Sequence, residues 1–147
     1  MEQEKDYPYK AYDGTCAYKE IGDVQVSSFT DVTVNSPSAL LAAVAEGPVS
    51  IAIDASGIFF QLYHGGIMKR FCGTSLDHGV LLVGYGVDNG EDYWLVKNSW
   101  GSGWGESGYF RIFRDAVEGQ PGVCGLQMDA SYPTFWSKKW KNQIEQY

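Results

Sequence analysis

Leu76-Asp77-His78-Gly79-Val80-Leu81-Leu82-Val83, followed after the turn formers Asp88-Asn89-Gly90-Glu91 by Tyr93-Trp94-Leu95-Val96-Lys97-Asn98-Ser99-Trp100, is the stretch whose reading decides the fold. Val80 to Val83 is a continuous apolar run that reads as a buried strand, and the Asn-Gly turn sends the chain back through Tyr93 to Lys97 as a hairpin. Such a hairpin returns the chain to the place it left and sets Asn98 beside His78. An amide oxygen there can accept the imidazole N–H, fix the ring's tautomer and leave its other nitrogen facing a nucleophile, with the Trp100 indole shielding the pair from water. The plainer alternative also stands at this point: a lone histidine at a strand end is more often structural, and a glycine-rich aromatic turn more often packs a sheet edge.

Outward from the hairpin, the strand pattern recurs at Val24 to Val34, Val49 to Ala55, Gly108 to Phe113 and Ala130-Ser131-Tyr132. One helix is marked at about 37 to 46. Ser36 can cap it, Pro37 suits its first turn, Leu40, Leu41 and Val44 form its apolar stripe, and Gly47-Pro48 ends it. Short strands around one helix predict an α+β fold, an antiparallel sheet or partly closed barrel. Tyr7-Pro8-Tyr9-Lys10-Ala11-Tyr12-Asp13-Gly14-Thr15-Cys16 has aromatics and turn formers without a period, and reads as an irregular packed loop. Composition shifts towards Lys, Gln and Trp from Phe135 to Tyr147, so residues 1–134 are expected to form the domain and 135–147 a tail, either an appended helix or a frayed end.

The 147 residues suit one domain with a sizeable core, and 44% are hydrophobic. A formal charge of -7 repels nucleic-acid phosphates, so a DNA or RNA partner is not expected. No apolar run approaches a membrane span, and Met1-Glu2-Gln3-Glu4-Lys5-Asp6 is too polar for a secretory signal. The two histidines, His64 and His78, and the three cysteines, Cys16, Cys72 and Cys124, show neither H-E-x-x-H nor C-x-x-C spacing, so no metal or other cofactor is expected. Three cysteines leave at least one unpaired within the chain: a free thiol, a link to another chain, or a residue whose partner lies elsewhere.

Leu76-Asp77-His78-Gly79, Val83-Gly84-Tyr85-Gly86, Tyr93 through Gly101, Trp104-Gly105 and Gly108-Tyr109 closely resemble the papain and cathepsin L family of cysteine peptidases. Tyr7-Pro8-Tyr9, Gly47-Pro48-Val49-Ser50, Phe60-Gln61-Leu62-Tyr63, Gly65-Gly66-Ile67 and Cys124-Gly125 match it in the same order. The resemblance covers roughly residues 7 to 133. It implies the C-terminal, barrel-like lobe of that fold, with His78 as the base that shares a proton with a thiol, Asn98 as its orienting partner, Ser99 and Trp100 as support, and Trp104 bordering the leaving-group side of the cleft. It further implies a substrate surface that includes Asp77, with Ala52 and Gly79 as small pocket walls and Asp129 at the far end of the pocket for the second residue before the cut. Cys72 and Cys124 match a pair that forms a disulfide within this lobe, and Cys16 one that pairs into the other lobe. His64 matches no catalytic position.

The family's nucleophile lies in a Cys-Gly-Ser-Cys-Trp segment on a separate helical lobe, together with the glutamine of its oxyanion hole. No such segment occurs in these 147 residues. The expected activity is therefore a cysteine-type endopeptidase to which this chain contributes the His/Asn part, the chain alone being inactive. The alternative is a non-catalytic papain-like binding module or pseudoenzyme fragment. The implied partners are a peptide or protein substrate, the N-terminal helical lobe, and a propeptide or cystatin-like inhibitor. The implied location is lysosomal, vacuolar or secreted.

Overall fold

The computed structural model describes residues 2–19, 24–70 and 72–137. Contacts divide the chain into two units, Asp31–Tyr132 and Met1–Thr30 with Pro133–Tyr147.

In the larger unit the strands are β2 (Val49–Ile53), β3 (Ile67–Met68), β4 (His78–Asp88), β5 (Glu91–Lys97) and β6 (Tyr109–Phe113), with the start of β7 (Ala130–Ser137) beside β2. Their order is β7-β2-β4-β5-β6-β3. All neighbours are antiparallel except β3, which pairs in parallel with β6 through Ile67↔Arg111 and Met68↔Ile112. The α+β expectation and the mostly antiparallel sheet hold. The parallel edge strand, only two residues long, has no periodicity to read.

The hairpin turns where the sequence says it should. Asp88 stands opposite Glu91, and both turn residues take positive φ, Asn89 at 50° and Gly90 at 80°. That is the type I′ geometry whose twist suits two adjacent strands. β4 is longer than its apolar run because a bulge between Leu82 and Gly84 changes which face each residue meets. Val80 and Leu82 point inward before the bulge, and Trp94 and Val96 fill the core from β5.

The helix α1 (Pro37–Glu46) begins as expected: the Ser36 hydroxyl oxygen accepts from the Ala39 N–H at 3.3 Å, with Pro37 in the first turn. A cap of this kind contributes about 1 kcal/mol. The Glu118 carboxylate adds a second cap, accepting from the Ser38 N–H at 3.2 Å. Pro37, Leu40 and Val44 are the buried face. They meet a core whose largest fully buried side chains are Trp94, Phe60, Phe110, Leu40, Ile53 and Leu82. A short helix, α2 (Ile58–Gln61), and a 3-10 turn at Val123–Gly125 complete the unit; neither shows a sequence period.

In the smaller unit, β1 (Val24–Asp31) lies along the later part of β7, where the Ser27 hydroxyl donates to the Thr134 carbonyl at 3.0 Å. Residues 2–19 form bends held by local bonds, such as the Ala17 N–H donating to the Tyr7 hydroxyl at 3.2 Å. Here the expectation of a packed loop fails: Tyr9 is 83% and Tyr12 72% exposed, because a segment without strand or helix presents no continuous face for these rings to cover. β7 runs on to Ser137, past the composition shift at Phe135. The rest of the expected tail, 138–147, lies outside the described residues.

Candidate active site

Two strands deliver the central pair. His78 is the first residue of β4, and Asn98 follows the last residue of β5, where Leu81↔Lys97 is the end of the ladder. The imidazole Nε2 lies 2.8 Å from Asn98 Oδ1. The same oxygen accepts the Ser99 backbone N–H at 2.8 Å. A backbone N–H can only donate, so the amide atom it meets must be the oxygen. An amide oxygen can only accept, so Nε2 must carry the proton towards it. In the neutral ring Nδ1 is then the nitrogen with a free lone pair, and Ser99 acts through its backbone to set this polarity.

Asn98 is 7% exposed, and its own N–H donates to the Gly108 carbonyl at 2.9 Å, anchoring the start of the 98–108 loop to its end. Trp100 leans over the histidine, with ring centroids 5.1 Å apart and planes inclined by 33°. It remains 40% exposed, so it covers one side of the contact and leaves its own outer face open.

Behind Trp100 sits an aromatic stack. Phe60 of α2 packs against Trp100 at 5.5 Å, Trp104 at 5.3 Å and Phe110 at 5.1 Å, and Trp100 meets Trp104 edge-on at 5.1 Å. The Trp104 indole N–H donates to the Gln61 carbonyl at 2.9 Å. Edge-to-face pairs contribute about 0.5–1.5 kcal/mol each beyond burial, enough to hold a glycine-rich loop in one conformation. Phe60 and Gln61 carried no individual assignment from the sequence, although Phe60-Gln61-Leu62-Tyr63 was one of its motifs.

Ala52 and Gly79 stand opposite one another across β2 and β4, and the Ala52 N–H donates to the Asp129 carbonyl at 3.1 Å. These three residues are thus neighbours, with the Asp129 side chain exposed. Asp77, next to His78, is turned the other way: its Oδ1 accepts the Ala55 N–H at 2.8 Å. His64 is exposed. Cys72 and Cys124 form a disulfide with Cα atoms 5.0 Å apart, and Cys16 is free and exposed. Among the described residues no group of three or more His, Cys, Asp or Glu is placed to hold a metal, and no helix is long and apolar enough to cross a membrane.

Chemically, the arrangement presents a histidine with one nitrogen locked to an amide and the other free to exchange a proton, half covered by an indole. Residues 1–134 match the family model described as papain family cysteine protease. The chain is similar to the oryzain beta chain of Oryza sativa, 54% identical over 136 residues, covering 91% of this chain and 29% of that protein. It is also similar to the probable cysteine protease RD21B of Arabidopsis thaliana, 51% identical over 135 residues, with coverage of 90% and 29%. Among solved structures, an inhibitor complex of the bromelain protease from Ananas comosus aligns with a TM-score of 0.83 at 43% identity, covering 89% of this chain and 61% of that one. The proform of the ragweed pollen allergen Amb a 11, a cysteine protease, aligns with a TM-score of 0.83 at 37% identity, covering 92% and 37%. The chain therefore spans about 29% of the length of these two curated relatives.

Proposed function

The chain belongs to the papain family of cysteine proteases, and from that premise we propose that it supplies the histidine-and-asparagine half of a cysteine-type endopeptidase. The observation that carries this reading is the His78–Asn98 contact of 2.8 Å, its polarity set by the Ser99 N–H. A thiol brought to the free Nδ1 gives up its proton there and becomes the nucleophile. The thiolate adds to the scissile carbonyl. The imidazolium then donates its Nδ1 proton to the leaving amine as the C–N bond breaks, and water, deprotonated by the same nitrogen, releases the acyl group and regenerates the thiol. Asn98 keeps the ring from turning during these transfers, and Trp100 keeps water from competing for Nε2.

In this reading Trp104 borders the leaving-group side, while the Asp77 carboxylate is taken up by the Ala55 N–H. Ala52 and Gly79, both small, form pocket walls for the second residue before the cut, with Asp129 at its end. The thiol itself belongs to a Cys-Gly-Ser-Cys-Trp segment, absent from these 147 residues, so the chain by itself hydrolyses no peptide. Propeptide and inhibitor binding, as in the Amb a 11 proform and the bromelain complex, would use the same surface. The Cys72–Cys124 disulfide favours an oxidising compartment, vacuolar, lysosomal or secreted. The second reading, a papain-like binding module, is favoured by that same missing segment.

One experiment separates the two. The chain is fused or mixed with a papain-type N-terminal lobe carrying the cysteine segment and assayed on a fluorogenic dipeptidyl substrate. Hydrolysis that appears only with both parts, and vanishes in His78→Ala, supports the peptidase; binding of the lobe without turnover favours the module.

A further inference from the structure

At the end of the β2/β4 pair, where Ile53 stands opposite His78, two carboxylates cross over. Asp54 follows β2 directly. Its Oδ2 accepts the Ser75 N–H at 3.3 Å, from the segment that leads into β4, while Oδ1 accepts the Ser56 N–H at 3.2 Å and the Ser56 hydroxyl at 2.7 Å. Asp77 directly precedes β4. It accepts the Ala55 N–H at 2.8 Å, from the segment that leaves β2, and its own N–H donates to the Ile53 carbonyl at 3.0 Å. Each strand end thus holds the other's flanking loop, and His78 is the next residue along.

Asp54 is the unexpected member. In Val49–Ile53 the inward positions are all apolar, yet the next residue is a carboxylate only 4% exposed. Its N–H donates to the carbonyl of disulfide-bonded Cys124 at 2.9 Å. Gly73 lies so close that a Cβ there would come within 2.7 Å of Asp54 Oδ2, so the 72–76 loop approaches only because that residue has no side chain. Burying an ionised group is costly unless donors surround it. Here they do, and the Ser56 hydroxyl above all holds the Asp54 carboxyl below its ordinary value. An apolar residue would fill the same space at less cost, but it would leave the Ser56 and Ser75 N–H groups without their acceptor.

We propose that Asp54 is a positioning residue for His78, pinning the loops on both sides of the β2/β4 end so that the imidazole stays on Asn98 and under Trp100. Its consequence for catalysis rests on the peptidase reading above; its effect on the ring does not.

The test uses the 147-residue chain and reads the ring directly by NMR. His64 is the only other histidine and serves as the internal control. In the wild type, the His78 Nε2–H should exchange slowly and its ring protons should be shifted by the Trp100 indole. In Asp54→Ala the Nε2–H should exchange roughly tenfold faster and the ring protons should move towards their unstacked positions, with His64 unchanged. Asp54→Asn keeps one acceptor oxygen and should fall between. Wild-type His78 signals in a folded Asp54→Ala chain would overturn the proposal, and if that variant does not fold, wild-type signals in Asp54→Asn do the same. A His78 response together with failed hydrolysis in the two-part assay would remove the peptidase reading and leave the positioning role intact.

Discussion

At one end of the β4–β5 hairpin the side chains that meet the histidine are neutral and directional; at the other, side chains meet as opposite charges. At the His78 end an imidazole, an amide and an indole meet, with a backbone N–H deciding which atom faces which. Towards the turn, the Arg111 guanidinium grips Glu106 with two nitrogens, at 2.8 and 2.9 Å, and Asp88 with a third at 2.6 Å, while Arg114 pairs with Asp92 at 3.0 Å and Lys69 with Glu91. Neutral contacts fix the ring by direction alone, as the proton transfer proposed for His78 would require. Ion pairs fasten strands and loops firmly but bind the result to pH and salt.

The largest expected difference is in rate. In a two-part enzyme built with an N-terminal lobe, His78→Ala should lower kcat/KM by roughly a thousandfold or more, since the members of such a unit fail together. The same substitution should leave the urea midpoint of the chain nearly unchanged. Arg111→Leu should do the reverse, with a rate within a few-fold of the parent. Equal effects of the two substitutions on rate would break the comparison.

Next comes stability. Arg111→Leu removes the paired bonds to Glu106 and the bond to Asp88, leaving Glu106 with the Gly66 N–H at 2.8 Å and the Tyr63 hydroxyl beside it. These side chains are partly exposed, so the loss is set at about 1–3 kcal/mol rather than the full cost of a buried orphan charge. A double-mutant cycle with Glu106→Gln isolates the coupling. An Arg111→Leu chain as stable as the parent in urea would show the grip to be idle.

Acid should loosen the charged regions first. Arg111 holds the Glu106 carboxyl below its ordinary value, the Ser38 and Ser36 hydroxyls hold Glu118 down, and Asp54 is lowered by its Ser56 contacts. Each of these folded-state values lies below the unfolded one, so the stabilisation is complete above the unfolded pKa of about 4 and is lost as pH falls from there through the folded values. Unfolding midpoints measured from pH 6 down to pH 2 should therefore fall below about pH 4, and Glu106→Gln should flatten that fall. A midpoint independent of pH across this range would contradict it.

What was legible in the sequence divides along similar lines. The hairpin could be read because its turn is local and chemically specific: Asn89-Gly90 between two apolar runs. It alone brought His78 to Asn98. α1 could be read from Ser36, Pro37 and a stripe of buried positions. β3 and α2 could not, being two and four residues long and defined by neighbours far away in sequence, Arg111 for β3 and Trp104 for α2. Asp54 could not be read for a related reason: Ser56 is local, but Ser75, which completes the set of donors and closes the burial, lies 21 residues away. The Arg111 grip likewise gathers Asp88 and Glu106 from separate segments. Pairing of Cys72 with Cys124 came from family resemblance, and the chain bears it out.

The smallest expected effect tests whether a charge also serves the neutral end. Asp129 lends its carbonyl to Ala52, whose strand partner is Gly79, so its backbone is fixed beside two residues without bulk. Its carboxylate is exposed, with no hydrogen bond or ion pair to another described residue. A carboxylate in that position is free to meet an Arg or Lys side chain entering between the small walls, whereas a Phe ring gains only contact area there. Solvent screens such a pair, and aspartate is short, so a bridging water would carry part of the contact. In the two-part enzyme, the kcat/KM ratio for Arg over Phe at the second residue before the cut should therefore fall by roughly fivefold in Asp129→Ala. The change should shrink in high salt, since Coulomb attraction at an exposed site is screened while apolar contact is not. A ratio that stays constant on substitution would place the Asp129 carboxylate outside the substrate's reach and leave selectivity at this pocket to Ala52 and Gly79.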